Sequence, residues 1–343
     1  MAISFYYFIF VNQRIHNMQV KKSILIITAI LLTIPGWGQQ PWALVIHGGA
    51  GVMSKEKMNE VRQQEYIQVL NKALEVGEKM LREGATSTDV VVEVIRVMED
   101  SPLFNAGKGA VFTNEGKNEL DASIMDGQTL NAGAIAGVTD IKNPITAARE
   151  VMLRSEHVFL SGKGASAFAK KQGLEMVSNK YFFTQPRFES LKQLQKQQRE
   201  RNKRDNMGTV GCAVLDSHGN LCAGTSTGGM TNKKYGRIGD APVIGAGTYA
   251  NNKTCAVSCT GHGEYYIRLG FARDISALME YKNLSVEEAC RTEIGKLTEL
   301  GGDGGVIALD AKGNISMEFN TSGMFRGYSK SDGMKEIAIF EDK

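Results

Sequence analysis

The sequence predicts a layered α+β protein in which both halves supply strands to shared sheets and the helices pack beside them. Three observations predict it. Helical and hairpin patterns occur in both halves, without the strand-helix alternation that a doubly wound parallel sheet requires. The densest strand patterns, at 209–216, 221–227, 254–261 and 304–319, fall into hairpins. A content of 42% hydrophobic and 22% charged residues is that of a globular protein able to bury a large core.

In chain order, Lys21-Lys22 precede the apolar run SILIITAILLTI and then Pro35-Gly36-Trp37-Gly38-Gln39. This order predicts a secretory signal peptide over 1–38 and a periplasmic or secreted mature protein, with Met18 preferred to Met1 as the start because it leaves a compact basic n-region. No Cys directly follows the run, so no lipid anchor is expected. The formal net charge of +3 includes that Lys-rich leader and the basic tract ending at Asn206, so charge argues for no nucleic-acid or acidic partner, and no membrane partner is expected once the signal is removed. Cys212, Cys222, Cys255, Cys259 and Cys290 are odd in number and mostly sit in strand-like runs, as small buried hydrophobes do. The five histidines form no H-x-x-x-H pair and there is no C-x-x-C, which argues against a zinc enzyme.

After the leader, PWALVIHGGAG (41–51) reads as a buried strand entering a glycine turn. Helices are predicted over 56–83, with Gly84 as its stop, and over 88–99. Residues 103–127 read as loop, strand, turn and strand, and 130–138 as a further strand. A helix over 144–155 is capped by Asn143 with Pro144 at its first position, and another covers 163–172. Over 184–206 apolar periodicity fades while Gln, Lys, Arg and Glu accumulate, which predicts a flexible linker, with an exposed helix as the alternative. Beyond it lie the hairpin 209–227 and a helix over 285–300 with a Ser285/Glu288 capping box. The last predicted hairpin turns at Lys312-Gly313-Asn314.

Three motifs suggest other chemistries. Gly224-Thr225-Ser226-Thr227-Gly228 matches a serine-nucleophile elbow, with Asp240 and His262 following in triad order, but a loop sequence stands where the elbow needs a helix. Gly245-Ala246-Gly247-Thr248-Tyr249-Ala250 resembles a dinucleotide fingerprint and likewise lacks its helix. His47-Gly48-Gly49-Ala50-Gly51 has no Lys-Ser/Thr and reads as a tight backbone loop.

The remaining candidate centres on Thr209. A hairpin turning at 217–220 would set Asp216 opposite Leu221 and Val210 opposite Thr227, making Thr209 and Thr227 diagonal or adjacent neighbours. Thr260 closes the next strand beside Gly261-His262-Gly263. A threonine hydroxyl needs a base to become a nucleophile, and its own α-amine serves once the preceding bond is cut. That amine, with an ordinary pKa of about 7.7–8.0, is partly neutral near pH 7. Thr209 would attack the Gly208 carbonyl, water would open the resulting ester, and the new terminus would then act on substrate.

The motifs HGGAG, SPLFNAGKGAVFT, ELDASIMDG, GTVG, GTSTGGMTNKKYGRIGDAPVIGAGTYANN, SCTGHGE and FNTSGMFRGY run in order from residue 41 to the end. In them the chain resembles the plant-type L-asparaginase/isoaspartyl peptidase family of N-terminal-nucleophile hydrolases. The resemblance implies a four-layer αββα sandwich cut into an α chain (39–208) and a β chain (209–343) that assemble as (αβ)₂. It implies hydrolysis of β-aspartyl dipeptides and L-asparagine with no catalytic cofactor. It assigns Thr209 as nucleophile, Thr227 as its orienting hydroxyl, and Thr260 with the Gly261 amide as oxyanion hole. Arg237 would clamp the substrate α-carboxylate, Asp240 and Gly263 would hold the α-ammonium, and Asn105 would support the nucleophile. A structural sodium would sit on the backbone carbonyls of Met98, Glu99, Ser101, Phe104, Ala106 and Lys108. Met207 and Asp303 depart from residues common in the family, bearing on cleavage rate and substrate preference. Competing expectations are a glycosylasparaginase, an uncut amino-acid-binding protein and a serine hydrolase using Ser226.

Overall fold

Strand β1 (Ala43–Gly51) lies near the middle of an eight-stranded sheet and shows how the core is divided. Its side chains alternate, as in any strand. Leu44 and Ile46 pack against helices, while Val45 enters a second core between two sheets. The computed structural model describes Arg14, His16, Met18 and residues 41–51, 53, 58–197 and 208–341. The signal-peptide expectation over 1–38 therefore lies essentially outside the described residues.

The large sheet is completed by β2 (Leu120–Asp126), β3 (Ala132–Val138), β4 (Phe159–Ser161), β5 (Val210–Leu215), β6 (Leu221–Thr227), β11 (Gly323–Lys330) and β12 (Lys335–Phe340). Its order is β12-β11-β1-β5-β6-β2-β3-β4, antiparallel throughout except for the β3-β4 pair. The small sheet joins β7 (Thr248–Ala250), β8 (Cys255–Gly261), β9 (Gly304–Asp310) and β10 (Ile315–Phe319) in the order β10-β9-β8-β7.

Helices α1 (Glu60–Arg82), α2 (Ser87–Glu99), α3 (Pro144–Arg154) and α4 (Gly162–Lys171) flank the large sheet, and α1 to α4 share its outer core. α6 (Gly263–Leu269), α7 (Phe271–Lys282) and α8 (Val286–Glu299) share a core with the outward residues Cys255, Val257, Cys259, Val306 and Ala308 of the small sheet. The four layers of the expected αββα sandwich are all present.

Local signals set most boundaries. α1 ends in a Schellman turn, with the Gly84 amide on the Leu81 carbonyl and the Ala85 amide on that of Met80. The Ser285/Glu288 capping box is formed at α8. Asn143 precedes Pro144 as expected, yet its side chain donates to Asp100 and makes no cap hydrogen bond. Two hairpins share the turn sequence D-x-x-G-N: Asp216 and Asp310 each accept the amides two and four residues on, ahead of left-handed Gly219 and Gly313.

Three expectations are corrected. The flexible linker predicted over 184–206 begins instead as helix α5 (Gln185–Gln197), anchored by buried Leu191 and by Phe188 against Phe112; residues 198–206 lie outside the described residues. A single apolar face at helical spacing suffices there despite the polar composition. The hairpin register is one residue from that predicted: Leu215 faces Leu221 and Val210 faces Ser226, because the Asp216 amide closes the turn on the Asn220 carbonyl. Helices α6 and α7 and strands β11 and β12 were not anticipated, their short apolar runs matching no single period.

Candidate active site

The corrected register carries Thr209 directly across from Thr227, and the two hydroxyl oxygens stand 3.1 Å apart. Both side chains are buried in the layer between the sheets. The Thr227 hydroxyl accepts the Gly229 amide at 2.9 Å and lies 3.5 Å from the Gly208 carbonyl oxygen. Its one proton is thus directed at that carbonyl while its lone pairs receive the Thr209 proton.

The Gly208-Thr209 peptide is held on two sides. On one, a Cβ at Gly49 would come within 2.7 Å of the Gly208 Cα, and φ of +111° at Gly49 disfavours any side chain. On the other stands Asn105, whose amide nitrogen donates to the Gly229 carbonyl at 2.7 Å and whose side-chain oxygen accepts the Val111 amide at 2.9 Å. The Asn105 carbonyl also accepts the Gly228 amide, so this residue ties the 98–108 loop to the strand end carrying Thr227. HGGAG, read from the sequence as a backbone loop, is instead the bulged end of strand β1, paired with β11 as far as Gly51, and it forms one wall of the site.

Thr260 lies in β8 and its hydroxyl accepts the Ala50 amide at 3.3 Å, which leaves its own proton to donate. Gly261 follows, where a Cβ would overlap Gly304 and Tyr266. Arg237 and Asp240 come together beside Gly263: a Cβ there would sit 2.7 Å from Asp240 Oδ1 and 2.9 Å from an Arg237 nitrogen. Asp240 is buried, and its Oδ2 has no hydrogen-bond partner among the described residues. Burial raises its pKa to about 7, with the Arg237 charge opposing the rise.

Several participants were not singled out in the sequence. Glu264 forms a bidentate pair with Arg237 at 2.9 and 2.8 Å and holds the guanidinium plane from one side. Lys233, also buried, lies 3.9 Å from both Glu119 and Asp121 and anchors the loop before Arg237. His47 reaches the Thr209 carbonyl at 2.9 Å through Nδ1. Period-two alternation was the available signal, because the inward positions of β1, β6 and β8 include His47, Thr225, Thr227, Ser258 and Thr260.

Ser226 points to the opposite face and donates to Glu99 Oε1 at 2.6 Å, fully buried, which removes it as an elbow nucleophile. The 245–250 motif leads into strand β7, with no helix to receive a dinucleotide. In the 98–108 loop, the Met98 and Ala106 carbonyls each accept a turn hydrogen bond. Gly107 and Gly109 press against the carbonyls of Glu99 and Phe104. Glu99 Oε2 is buried without a hydrogen-bond partner among the described residues, and burial raises the carboxyl pKa to about 8.

An αββα sandwich with a hydroxyl side chain at the head of a central strand fits the N-terminal-nucleophile hydrolases. Within that class, a family model described as Asparaginase matches residues 40–339, and the chain belongs to that family. Isoaspartyl peptidase of Escherichia coli (strain K12) is 48% identical over 309 residues, covering 88% of this chain and 96% of that protein. Plant-type L-asparaginase of Pyrococcus horikoshii is 40% identical over 310 residues, 86% of this chain and 98% of that protein. Isoaspartyl peptidase/L-asparaginase of Bos taurus is 38% identical over 288 residues, 82% and 91% respectively.

Proposed function

We propose that the chain cuts itself between Gly208 and Thr209 and then hydrolyses β-aspartyl dipeptides and L-asparagine through a β-aspartyl ester on Thr209. The observation that carries this reading is the Thr209-Thr227 hydroxyl contact of 3.1 Å, with Thr227 also facing the Gly208 carbonyl. In the first cut, Thr209 Oγ1 bonds to the Gly208 carbonyl carbon and the peptide C–N bond breaks with the proton passing to nitrogen. Water then hydrolyses the ester, leaving a Gly208 carboxylate and a Thr209 α-amine.

In turnover that amine takes the hydroxyl proton while Oγ1 attacks the substrate β-carbonyl. Thr227 holds the nucleophile by its hydrogen bond, and Thr260 with the Gly261 amide receives the developing oxyanion. The leaving ammonia or amino acid takes the proton, and water releases aspartate. Arg237 binds the α-carboxylate with the donors that Glu264 leaves free, Asp240 Oδ2 takes the α-ammonium, and Gly263 keeps the space between them open.

The reading extends to an exported mature protein, cut into α and β chains and paired as (αβ)₂. It includes, as the family resemblance implies, a structural sodium on the carbonyls of Met98, Glu99, Ser101, Phe104, Ala106 and Lys108. The sodium would order the loop bearing Asn105 and takes no part in bond making.

The test is the intact mass of the purified protein under denaturing conditions beside Thr209→Ala, followed by hydrolysis of β-aspartyl-leucine against a glycosyl-asparagine. Two wild-type chains, the second beginning at Thr209, and one chain in the variant are expected, with preference for the dipeptide. A wild type that stays single on long incubation sinks the self-cleavage. Preference for the glycosyl-asparagine would replace the peptidase reading.

A further inference from the structure

We propose that His47, Ser258, Thr225, Thr248 and Ser123 form one positioning network that aims Thr209 by gripping its carbonyl and ties that grip to the backbone of the Asp240 loop. The inference rests on Thr209 being the nucleophile, as proposed above. The five residues come from five strands of both sheets, and each is fully buried in the layer where the sheets meet.

The direction of each link from Thr209 to Thr248 follows from proton counting. The Thr209 carbonyl oxygen can only accept, so His47 Nδ1, 2.9 Å away, carries the ring proton. Burial lowers the His47 pKa to about 3, so the ring is neutral and Nε2 is bare. Ser258 Oγ, 3.0 Å from Nε2, must donate its proton there. Having spent it, Ser258 accepts from Thr225 Oγ1 at 2.7 Å, and Thr225 in turn accepts from Thr248 Oγ1 at 2.5 Å. Thr248 then accepts from Ser123 Oγ at 2.8 Å.

Ser123 has one proton for two acceptors, the second being the Ala241 carbonyl at 2.6 Å, whereas the second acceptors of Thr225 and Thr248, the Gly247 and Ala241 carbonyls, lie at a longer 3.3 Å. Ala241 directly follows Asp240 in the chain, so the carbonyl that ends the run belongs to the residue bonded to Asp240. One polarised run of hydrogen bonds therefore connects the nucleophile's peptide to the residue placed to bind the substrate ammonium.

The network also accounts for the second glycine of GTVG. A Cβ at Gly211 would overlap both Ser258 Oγ and His47 Nε2, so the His47-Ser258 bond occupies the space that any larger residue would need. Positioning of this kind is costly to lose, since small misplacements of a nucleophile lower rates steeply.

The experiment has a spectroscopic and a kinetic arm, both on the full-length processed protein. With histidine labelled by ¹⁵N, His47 is expected to show a protonated Nδ1 and a bare Nε2 that do not titrate between about pH 5 and 8. Thr225→Val, which keeps the shape and breaks the chain, is expected to lower kcat per processed site about tenfold with KM within about twofold, and Thr225→Ser to restore kcat. A merely structural role would reduce melting temperature and the yield of processed protein while leaving kcat per processed site unchanged.

A proton on His47 Nε2, or a processed Thr225→Val with wild-type kcat, overturns the network. If that variant does not process, Ser258→Ala is read in its place, and the tautomer decides independently of both. A wild type that cleaves no β-aspartyl dipeptide overturns the function instead, and the two failures are separable because the tautomer is read without substrate.

Discussion

Lowering the pH from 8 to 5 is expected to weaken substrate binding through Asp240. Its carboxyl is buried, with Oδ2 lacking a hydrogen-bond partner among the described residues, and its pKa is raised to about 7 by burial. With that value about nine-tenths of the free enzyme holds Asp240 ionised at pH 8, about one-tenth at pH 6 and about one-hundredth at pH 5. The substrate ammonium requires the ionised form, so KM rises about tenfold per pH unit below 7. The Thr209 amine must be neutral as well, with an ordinary pKa of about 7.7–8.0, so kcat/KM falls with a limiting slope of about two while kcat falls with a slope of about one.

Stability moves the other way. A carboxyl whose folded pKa lies above its unfolded value of about 3.9 contributes most when protonated, so the empty protein loses that contribution as pH rises from about 4 to about 7. Initial rates on β-aspartyl-leucine between pH 5 and 8.5, with Asp240→Asn as control, measure the effect. The variant is expected to show a high KM that no longer depends on pH. A wild-type KM that stays flat across the range would refute the assignment of Asp240 to the ammonium.

Four further outcomes follow from the same contacts. Thr227→Val removes the hydroxyl between Thr209 and the Gly208 carbonyl and should leave the chain uncut or slow its cleavage by about a hundredfold or more, read by denaturing electrophoresis over time. Gly211→Ala should cost about 1–3 kcal/mol from overpacking and a similar amount from the broken His47-Ser258 bond, seen as a melting temperature several degrees lower. Arg237→Lys, which loses the planar fork held by Glu264, should raise KM by about tenfold or more with a smaller change in kcat. Ser285→Ala breaks the α8 capping box far from the site, and should cost about 1 kcal/mol in thermal unfolding while leaving kcat and KM as in the wild type.

Where a residue's role depends on its immediate neighbours, the sequence alone determined the outcome. Gly84 ending α1, the Ser285/Glu288 box and the glycine turn near Lys312 are such cases, because caps and turns are set by a few consecutive side chains. The same holds for the strand runs around Thr209, Thr227 and Thr260, and for the ordered motifs that identified the family from residue 41 onward. Register escaped local reading by one residue, since the turn hydrogen bonds of Asp216 fix it and strand composition does not.

Only the tertiary structure decided which side chains share the layer between the sheets. It turned Ser226 away to Glu99 and drew His47, Ser258 and Thr225 together from positions up to 211 residues apart. It also gave Arg237 its partner Glu264, 27 residues on. Contacts of that kind arise from how two sheets stack and from which polar groups must find partners once water is excluded, and no window of sequence contains either condition.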